Sequence, residues 1–322
     1  MVINYLILAH KEPRQVARLV DRLQSTQTRF FIHIDARISL PQFQTMFLPL
    51  PSNVFFIPDA DRHPTSWGDI GLVRAALAML RAATKFDRGP GHCVLLSGQD
   101  YPLRNNRSIK NFLAENQGED FMEILPIPNA QWSDGGTKRL THYKYNLSHR
   151  REDFVLIPYL FSTDFWQLNS FKAIAKLVLR KKYRLLTRLL KRRVFPAYLA
   201  PYGGEHWWAL STETVSEVLQ FVADHPDYLD YHRDTLLAEE TFFQAIVVEL
   251  RGGTPDNIRP QITYTNWTRD PTASGPAIFT ALDIDELGHE SARHLFARKF
   301  DYALDREVLN LLDRNQLAKQ AV

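Results

Sequence analysis

The sequence predicts an α/β fold built around a largely parallel sheet, and three observations support this. Short runs of consecutive apolar residues recur along the chain, as at 5–9, 30–34 and 94–96. Between these runs, apolar residues repeat at helical spacing. The runs lack the alternation of a sheet with one wet face, so they indicate strands covered by helices on both faces.

Length and composition favour one folded domain over residues 1–322. Hydrophobic residues make up 45% of the chain, enough to bury one extended core or two modest ones. The charged fraction is 23% and the net charge is +3, which by themselves indicate neither a nucleic-acid binder nor a disordered chain. We find no internal repeat, low-complexity tract or clean linker.

The cysteine content and the first residues point to a reducing compartment. Cys93 is the only cysteine, so the chain can form no intramolecular disulfide and no zinc site of paired thiolates. Residues 1–10 carry neither a basic leader nor a cleavage site and are too short to span a bilayer. We therefore expect them to form the first core strand of a cytoplasmic protein.

The elements follow one another in an order typical of a doubly covered sheet. The pattern predicts a strand at 5–9, a helix over 16–23, a strand at 30–34, a strand at 54–57, a helix over 70–80 and a strand at 94–96. After about residue 120 the pattern becomes more polar and then basic, which indicates a region inserted into the fold. Later elements are a strand at 207–210, a helix over 215–222 and a helix that begins near Glu240.

Polar residues follow three of the predicted strands at the point where each strand ends. They are His10, Asp35 and Asp100. In parallel sheets ligands bind beyond the carboxyl ends of the strands, so these residues are expected in a cleft. The turn at 10–13 contains no glycine-rich loop, which argues against a dinucleotide fingerprint and a P-loop.

Seven short segments occur in a fixed order along most of the chain. They are 5–11 (YLILAHK), 31–35 (FIHID), 66–68 (SWG), 96–103 (LSGQDYPL), 207–211 (WWALS), 240–243 (ETFF) and 295–301 (LFARKFD). Each is weak alone, but together they resemble the core-2/I-branching β-1,6-N-acetylglucosaminyltransferase and peptide O-xylosyltransferase family. The resemblance implies a GT-A type fold, UDP-sugar donors, inversion at the anomeric carbon and typically no metal.

The resemblance assigns the two groups that inverting sugar transfer needs. Glu240 matches the family's catalytic base, and Lys299 matches the cation that holds the diphosphate in place of a metal. The pair Glu239 and Glu240 stands at a predicted helix start, where the helix field favours an ionised carboxylate. From this pattern alone, a pair that only completes a helix N-terminus is the better interpretation. Arg298 is either a helper of Lys299 or a solvated charge.

Further residues match the donor-binding part of the family, about residues 1–120. Asp35 and Arg37 match positions that meet the uridine, and His10 lies in the first-strand motif, where it contacts the donor or caps a strand end. Trp67 and Gly68 open a helix in the donor pocket, although Trp67 is alternatively a core residue.

Asp100, the remaining donor-side residue, belongs to the Asp-Tyr-Pro segment. It either accepts hydrogen bonds from the donor sugar or forms a turn ahead of Pro102.

The remaining matches fall in the acceptor-side and catalytic part, about residues 121–322. Glu123 resembles an acceptor-side glutamate, and Trp208 lies in the motif that flanks the acceptor, although most Trp residues of α/β enzymes are simply packed. One departure concerns the diphosphate site. A second arginine upstream of the lysine has no clear match, and Arg269 is the nearest candidate.

An Asp-x-Asp motif offers a competing way to hold the donor. Asp59 and Asp61 follow the strand-like 54–57, and carboxylates in this pattern are ligands for Mg²⁺ or Mn²⁺ in many nucleotide-sugar enzymes. The tripeptide is common by chance, and we favour a solvated loop with no metal site.

The segment 172–193 is strongly basic. It contains ten Lys or Arg residues and no acid, with apolar residues at roughly helical spacing, which predicts one basic amphipathic helix. Such a helix either rests on an anionic membrane surface or packs on its own domain with solvated charges. Binding to nucleic acid is less favoured because no recognised motif accompanies the charge.

With the resemblance included, we expect an inverting, metal-independent enzyme without a cofactor. It would move N-acetylglucosamine or xylose from a UDP-sugar to an oligosaccharide or lipid-linked glycan, in microbial surface polysaccharide synthesis. The expected location is cytoplasmic and peripheral at the inner face of the membrane. The alternative class is a non-catalytic protein that binds glycans or nucleotide sugars, and the presence of both Glu240 and Lys299 argues against it.

Overall fold

The computed structural model describes residues 1–86, 89–148, 150–151, 153–269 and 275–318. The strands are β1 (Val2–Ala9), β2 (Thr28–Ile34), β3 (Val54–Phe56), β4 (Gly91–Ser97), β5 (Asp100–Pro102), β6 (Leu125–Pro126), β7 (Tyr143–Asn146), β8 (Phe154–Ile157), β9 (Tyr202–Gly203), β10 (Ala209–Ser211), β11 (Thr263–Thr265) and β12 (Phe296–Arg298). The α-helices are α1 (Pro13–Leu23), α2 (Leu40–Gln44), α3 (Gly71–Ala83), α4 (Asn106–Glu115), α5 (Thr137–Thr141), α6 (Leu168–Leu179), α7 (Thr212–Asp224), α8 (Pro226–Tyr231), α9 (Phe242–Leu250), α10 (Ile284–Glu290) and α11 (Glu307–Ala318). Short 3-10 helices include Asp59–Asp61, Thr163–Trp166, Tyr183–Leu190 and Ala238–Glu240.

The main sheet has five strands in the order β10-β4-β1-β2-β3. The four strands from the first hundred residues pair in parallel, and β10 joins the edge in the antiparallel direction. The predicted α/β class with a largely parallel sheet is therefore confirmed. The strand expected at 207–210 begins two residues later, at Ala209.

Both faces of this sheet are buried, as the continuous apolar runs predicted. Along β1, Ile3, Tyr5 and Ile7 belong to a core formed with α1, α4 and α11, whereas Leu6 and Leu8 face a second core with α3, α7 and α9. Successive side chains of a strand point to opposite faces, so a strand covered by helices on both sides must be apolar throughout.

A second, three-stranded sheet brings the C-terminal part of the chain to the carboxyl edge of the main sheet. Its order is β11-β12-β5. The antiparallel register of β12 and β5 places Arg298 opposite Asp100. This pairing carries the segment 298–299 to the place where β4 ends.

A smaller unit, which we call the β7–β8 module, comprises the described residues between 143 and 194. The hairpin of β7 and β8 packs against α6 and the 3-10 helix Tyr183–Leu190, and together they bury an apolar cluster of their own. The buried side chains of this cluster are Tyr143, Tyr145, Leu147, Val155, Ile157, Phe165, Ala173, Leu177 and Leu189.

The prediction of one basic helix over 172–193 is wrong. Helix α6 ends at Leu179, and Lys181 has a left-handed backbone with a φ of 55°. The amides of Lys181 and Lys182 donate to the carbonyls of Val178 and Leu177, which is the hydrogen-bond pattern of a Schellman ending. The pattern did not reveal this stop because lysine, rather than glycine, occupies the left-handed position.

Helix α9 carries the sequence that follows Glu240, and its far end is anchored by a buried ion pair. Arg251 donates through Nε to Asp120 at 2.7 Å, and Asp120 also accepts from the hydroxyl of Thr214 and the amide of Ser211. Asp120 is fully buried, so this network fixes α9 against α7 and β10.

We predict that Asp120→Ala lowers the free energy of unfolding by about 3 kcal/mol, because it leaves the Arg251 guanidinium without its buried partner. The neighbouring Glu119 makes an exposed ion pair with Arg259 at 3.2 Å. Glu119→Ala should therefore cost no more than about 1 kcal/mol. Urea unfolding of both variants measures the difference, and equal losses would contradict this account.

Candidate active site

A cleft of about 460 Å³ opens beyond the carboxyl ends of β1, β2 and β4. It lies where parallel strands of this topology leave room for a ligand. Seven of the residues predicted from the sequence line it: His10, Asp35, Arg37, Trp67, Glu240, Arg298 and Lys299. The other four, Gly68, Asp100, Glu123 and Trp208, are not part of its lining.

Asp35, at the end of β2, forms a hydrogen-bonded clamp with Arg37. Its two carboxylate oxygens accept from Arg37 Nε at 2.9 Å and Arg37 Nη2 at 2.6 Å. The amide and hydroxyl of Thr65 also donate to Asp35, at 2.8 and 2.6 Å. Burial alone would raise the pKa of Asp35, but the hydrogen bonds from Arg37 and Thr65 hold it well below its usual range. The clamp fixes the loop that leads to Trp67.

One part of the cleft lining, which we call the positive wall, carries several cations. Lys299 lines it together with Lys11, Arg151 and Arg298. Burial, and then the charges of Arg298, Lys11 and Arg151, lower the pKa of the Lys299 ammonium. Lys11 forms an ion pair with Asp301 at 2.7 Å. Within the described residues, Lys299 has no carboxylate within ion-pair distance, so its charge is available to an anionic ligand.

Arg298 is held in place from two sides. Its guanidinium lies 3.9 Å from the ring centre of Trp207, and its Nε lies 3.4 Å from Asp100 Oδ1. Asp100 is itself fully buried and accepts from the amide and hydroxyl of Ser97. Asp100 therefore contacts Arg298 from behind the cleft lining and accepts hydrogen bonds across the turn from Ser97, whereas the sequence left open a sugar contact or a turn ahead of Pro102.

Glu240 lies in the cleft one residue before the N-cap of α9, at the end of the 3-10 helix Ala238–Glu240. Its Oε2 accepts from Arg139 Nη1 at 2.6 Å, and the Arg139 guanidinium stacks over Trp132 at 3.5 Å. Burial raises the pKa of Glu240, and Arg139 opposes the rise. The helix field alone would favour the ionised carboxylate and so lower the pKa of Glu240. Desolvation is the larger effect, so the pKa is raised instead.

Glu239 is the more deeply buried member of the acidic pair. Burial and the neighbouring Glu240 raise the pKa of Glu239 to about 8. Its Oε2 makes no hydrogen bond within the part of the chain that the structure describes. Burial thus favours the protonated form of Glu239, and Glu240 is the member of the pair that has an arginine partner, Arg139.

Trp67 and Gly68 lie in the loop before α3 and do not open the helix, which begins at Gly71. The Trp67 ring lines the cleft and contacts Phe154 of the β7–β8 module. Gly68 has a φ of 63°, and its carbonyl and that of Trp67 both accept from the ammonium of Lys144 at 2.8 Å. Gly68 therefore shapes the wall through its backbone.

His10 follows β1 and lines the cleft. Burial lowers its pKa, and the adjacent cations Lys11 and Lys299 lower it further. A histidine in this position is neutral at pH 7 and can donate or accept one hydrogen bond toward a ligand.

The two predicted acceptor-side residues lie behind the surface of the cleft. Glu123 accepts from the amide of Glu205 at 2.8 Å, and Glu205 itself lines the cleft. Trp208 is buried in the core, where its ring packs 5.2 Å from that of Phe243. Of the two adjacent tryptophans, Trp207 is the one that lines the cleft.

Asp59 and Asp61 lie outside the cleft lining. Asp59 is 77% exposed and paired with Arg62 at 2.6 Å. Among the described residues, no group of three or more His, Cys, Asp or Glu side chains is placed to hold a metal ion. Arg269, the candidate second diphosphate arginine, instead pairs with Asp283 and Glu286 away from the cleft.

Sequence reasoning missed several residues of the cleft. Arg151 lines the cleft and Arg139 pairs with Glu240, and both come from the middle of the chain, outside the seven matched segments. Glu205 and Trp207 also line the cleft. Trp207 is the first residue of the WWALS segment and Glu205 lies two residues before it, which was the only signal available. Nothing in the local pattern distinguishes Arg139 or Arg151 from a solvated charge.

Comparison with known proteins identifies the class. The family model described as "Core-2/I-Branching enzyme" matches residues 3–290. Xylosyltransferase 2 of Homo sapiens is 25% identical over 97% of this chain, and xylosyltransferase 1 of Rattus norvegicus is 23% identical over 97% of it. These alignments cover 33% and 35% of the two relatives, so the chain spans about a third of their length.

The family model covers most of the chain, so the chain belongs to the Core-2/I-branching enzyme family, in agreement with the resemblance. A solved structure, that of mouse xyloside xylosyltransferase 1 in its apo form, aligns with a TM-score of 0.33 and 10% identity over 92% of this chain and 97% of that one. A likeness this distant adds nothing to the assignment.

The Asp35 clamp predicts a pH-dependent stability. Because the folded-state pKa of Asp35 is depressed, its contribution is complete above the unfolded pKa of about 4 and is lost as pH falls further. We expect Asp35→Asn to reduce the free energy of unfolding by about 2 kcal/mol at pH 7 and by progressively less between pH 4 and pH 2.5. Urea unfolding across this range measures the gap, and a gap independent of pH would contradict the clamp.

Proposed function

We propose that this protein transfers a sugar from a UDP-sugar to a glycan hydroxyl, with inversion and without a metal ion. The observation that carries the proposal is that Glu240 and Lys299, from distant parts of the sequence, line the same cleft. A base for the acceptor and a cation for the leaving group are the two functions that direct displacement requires.

In this mechanism Glu240 acts as the general base. The acceptor oxygen attacks the anomeric carbon while its proton passes to a carboxylate oxygen of Glu240, and the bond to the diphosphate oxygen breaks with its electron pair leaving on UDP. A single displacement of this kind inverts the anomeric centre. Because burial raises the pKa of Glu240, its carboxylate is a stronger base than an exposed one, and the Arg139 contact opposes that rise.

The positive wall stabilises the departing diphosphate in place of a metal. Lys299 and Arg151 line the cleft, and Arg298 is fixed beside Lys299 by Asp100 and Trp207. Preorganised cations in a partly desolvated site bind developing negative charge without reorganisation. Burial and nearby cations lower the pKa of Lys299, and an anionic ligand beside it would stabilise the charged ammonium.

The remaining lining residues suit the nucleotide and the sugar. The Asp35 and Arg37 clamp and the Trp67 ring offer polar and aromatic contacts for uridine, and His10 lines the same cleft. Among the expected donors, N-acetylglucosamine and xylose, the names of the relatives favour xylose. The acceptor is proposed to be an oligosaccharide or lipid-linked glycan in surface polysaccharide synthesis, on the cytoplasmic side of the membrane.

The alternatives have less support. A metal-dependent site at Asp59 and Asp61 would need carboxylates in the cleft, whereas Asp59 is solvent-exposed and paired with Arg62. A non-catalytic binding protein would not need a partly desolvated carboxylate in the same cleft as several cations. The matched relatives are also named as transferases.

Replacing the base tests the central step. We expect Glu240→Gln to lower kcat by about 10³-fold while the Kd for UDP changes by less than about twofold, because only proton transfer is removed. Glu249→Gln changes an exposed glutamate on α9, the helix that follows Glu240, and should leave kcat unchanged. Steady-state kinetics and calorimetric titration with UDP give both values, and a Glu240→Gln enzyme with normal turnover would exclude this role.

The pH profile provides an independent test of the same residue. Since burial raises the pKa of Glu240 and the base acts when ionised, kcat/KM should fall as pH drops, with its midpoint above the ordinary value of about 4.3. The residual activity of Glu240→Gln should lack this acidic limb. Persistence of the limb in the variant would assign it to another group.

The cation is tested through nucleotide affinity. We expect Lys299→Ala to weaken UDP binding by about 10- to 100-fold in EDTA, the loss of one charge-assisted contact. Lys110→Ala removes an exposed lysine of α4, outside the cleft, and should have no effect. An unchanged Kd for Lys299→Ala, or tight binding that requires added Mn²⁺, would argue against a metal-free diphosphate site.

A further inference from the structure

The β7–β8 module exposes large apolar side chains that its own cluster leaves uncovered. Trp166 is 69% exposed, Leu168 77% and Leu179 81%. With Phe161, Phe171 and Val178, also exposed, they form what we call the docking face. Scattered exposed apolar residues are ordinary, but six within nineteen consecutive positions mark an interaction surface.

Helix α6 is apolar on two opposite sides. Its inner side buries Ser170, Ala173 and Leu177 against the module. Its outer side carries exposed apolar residues at 168, 171, 175 and 179, which is the spacing of one helical stripe. The Trp166 ring extends this stripe, since its centre lies 6.2 Å from that of Phe171. A stripe of this length needs a partner that the described residues of the chain do not supply.

The charge around the docking face is almost entirely positive. Seven of the ten basic residues in 172–193 are exposed: Lys172, Lys176, Arg180, Lys181, Arg184, Lys191 and Arg192. Of the other three, Arg193 is buried and donates to backbone carbonyls, and Arg188 forms an ion pair with Asp234. Asp164 is the only acidic residue between 154 and 193.

We propose that the docking face binds an anionic lipid bilayer, with its aromatic and aliphatic side chains in the headgroup boundary and its basic side chains on the lipid phosphates. The combination of Trp, Phe and Leu with flanking Lys and Arg suits this environment, because lipid offers apolar depth and negative charge at the same surface. A purely anionic polymer would use the charges and leave the apolar stripe in water. Among the described residues, no helix is long and apolar enough to cross the bilayer, so contact is interfacial.

The same module forms part of the wall of the cleft. Arg151, between β7 and β8, lines the cleft, and Phe154 of β8 contacts the ring of Trp67. Lys144 of β7 binds the carbonyls of Trp67 and Gly68. Docking through this module would therefore hold the cleft at the membrane surface, where a lipid-linked acceptor is found. The binding proposal itself does not depend on the transferase activity.

Vesicle co-sedimentation tests the proposal with the full chain. We expect binding to vesicles of phosphatidylcholine with 30% phosphatidylglycerol, about tenfold weaker binding at 0.5 M NaCl than at 0.1 M, and little binding to phosphatidylcholine alone. Tryptophan fluorescence should shift to the blue on binding, and this shift should be absent in Trp166→Ser.

Two variants separate the apolar from the ionic contribution. Leu168→Ser with Leu179→Ser should weaken binding by about tenfold or more, whereas Leu282→Ser with Leu304→Ser, equally exposed leucines elsewhere, should have no effect. Neutralising Lys172, Lys176, Arg184 and Lys191 to Gln should weaken it similarly. The matched charge control changes four exposed basic residues on α3, α4 and the turn after α3: Arg81, Lys85, Arg107 and Lys110.

The outcomes are distinct because every substituted side chain is exposed and the thermal unfolding midpoint should stay within about 2 °C of the wild-type value. Loss of binding in both docking-face variants, with both controls binding normally, supports the proposal. Binding that depends on the charges alone and leaves Trp166 fluorescence unchanged indicates a polyanion site and overturns it. Absence of vesicle binding at low salt also overturns it and leaves a protein partner as the occupant.

Discussion

Parallel pairing of β1 with both β2 and β4 is the constraint on which the site depends. It brings the ends of three strands to one edge, so that His10 and Asp35 meet in a single cleft although they are far apart in sequence. The antiparallel pairing of β12 with β5 then carries Arg298 and Lys299 to the same edge. The cationic wall is thus a consequence of strand register.

Desolvation sets the electrostatic character of this cleft. It raises the pKa of Glu240 and lowers that of Lys299, in each case disfavouring the charged form. Each opposing charge is local: that of Arg139 on Glu240, and that of Asp301 on Lys299. The protein therefore holds a base and cations partly out of water, and an anionic ligand would favour the charged form of the cations.

Most of the fold could be predicted from the sequence, because covered parallel strands and amphipathic helices leave strong local patterns. Glu240 and Lys299 were found through motif order. The pattern could not show that Trp207, and not Trp208, reaches the cleft, since neighbouring residues point to different sides and the choice depends on tertiary register. It also missed Arg139 and Arg151, which become site residues only through long-range packing, and the helix stop at Lys181.

The central claim is that this cleft transfers a sugar from UDP without a metal. The most direct measurement is turnover of the purified protein with a panel of nucleotide sugars and a glycan acceptor, each in EDTA and in Mn²⁺. The account predicts a product with inverted anomeric configuration, formed from a UDP-sugar at similar rates in both conditions. A strict requirement for Mn²⁺, or retention of configuration, would contradict it.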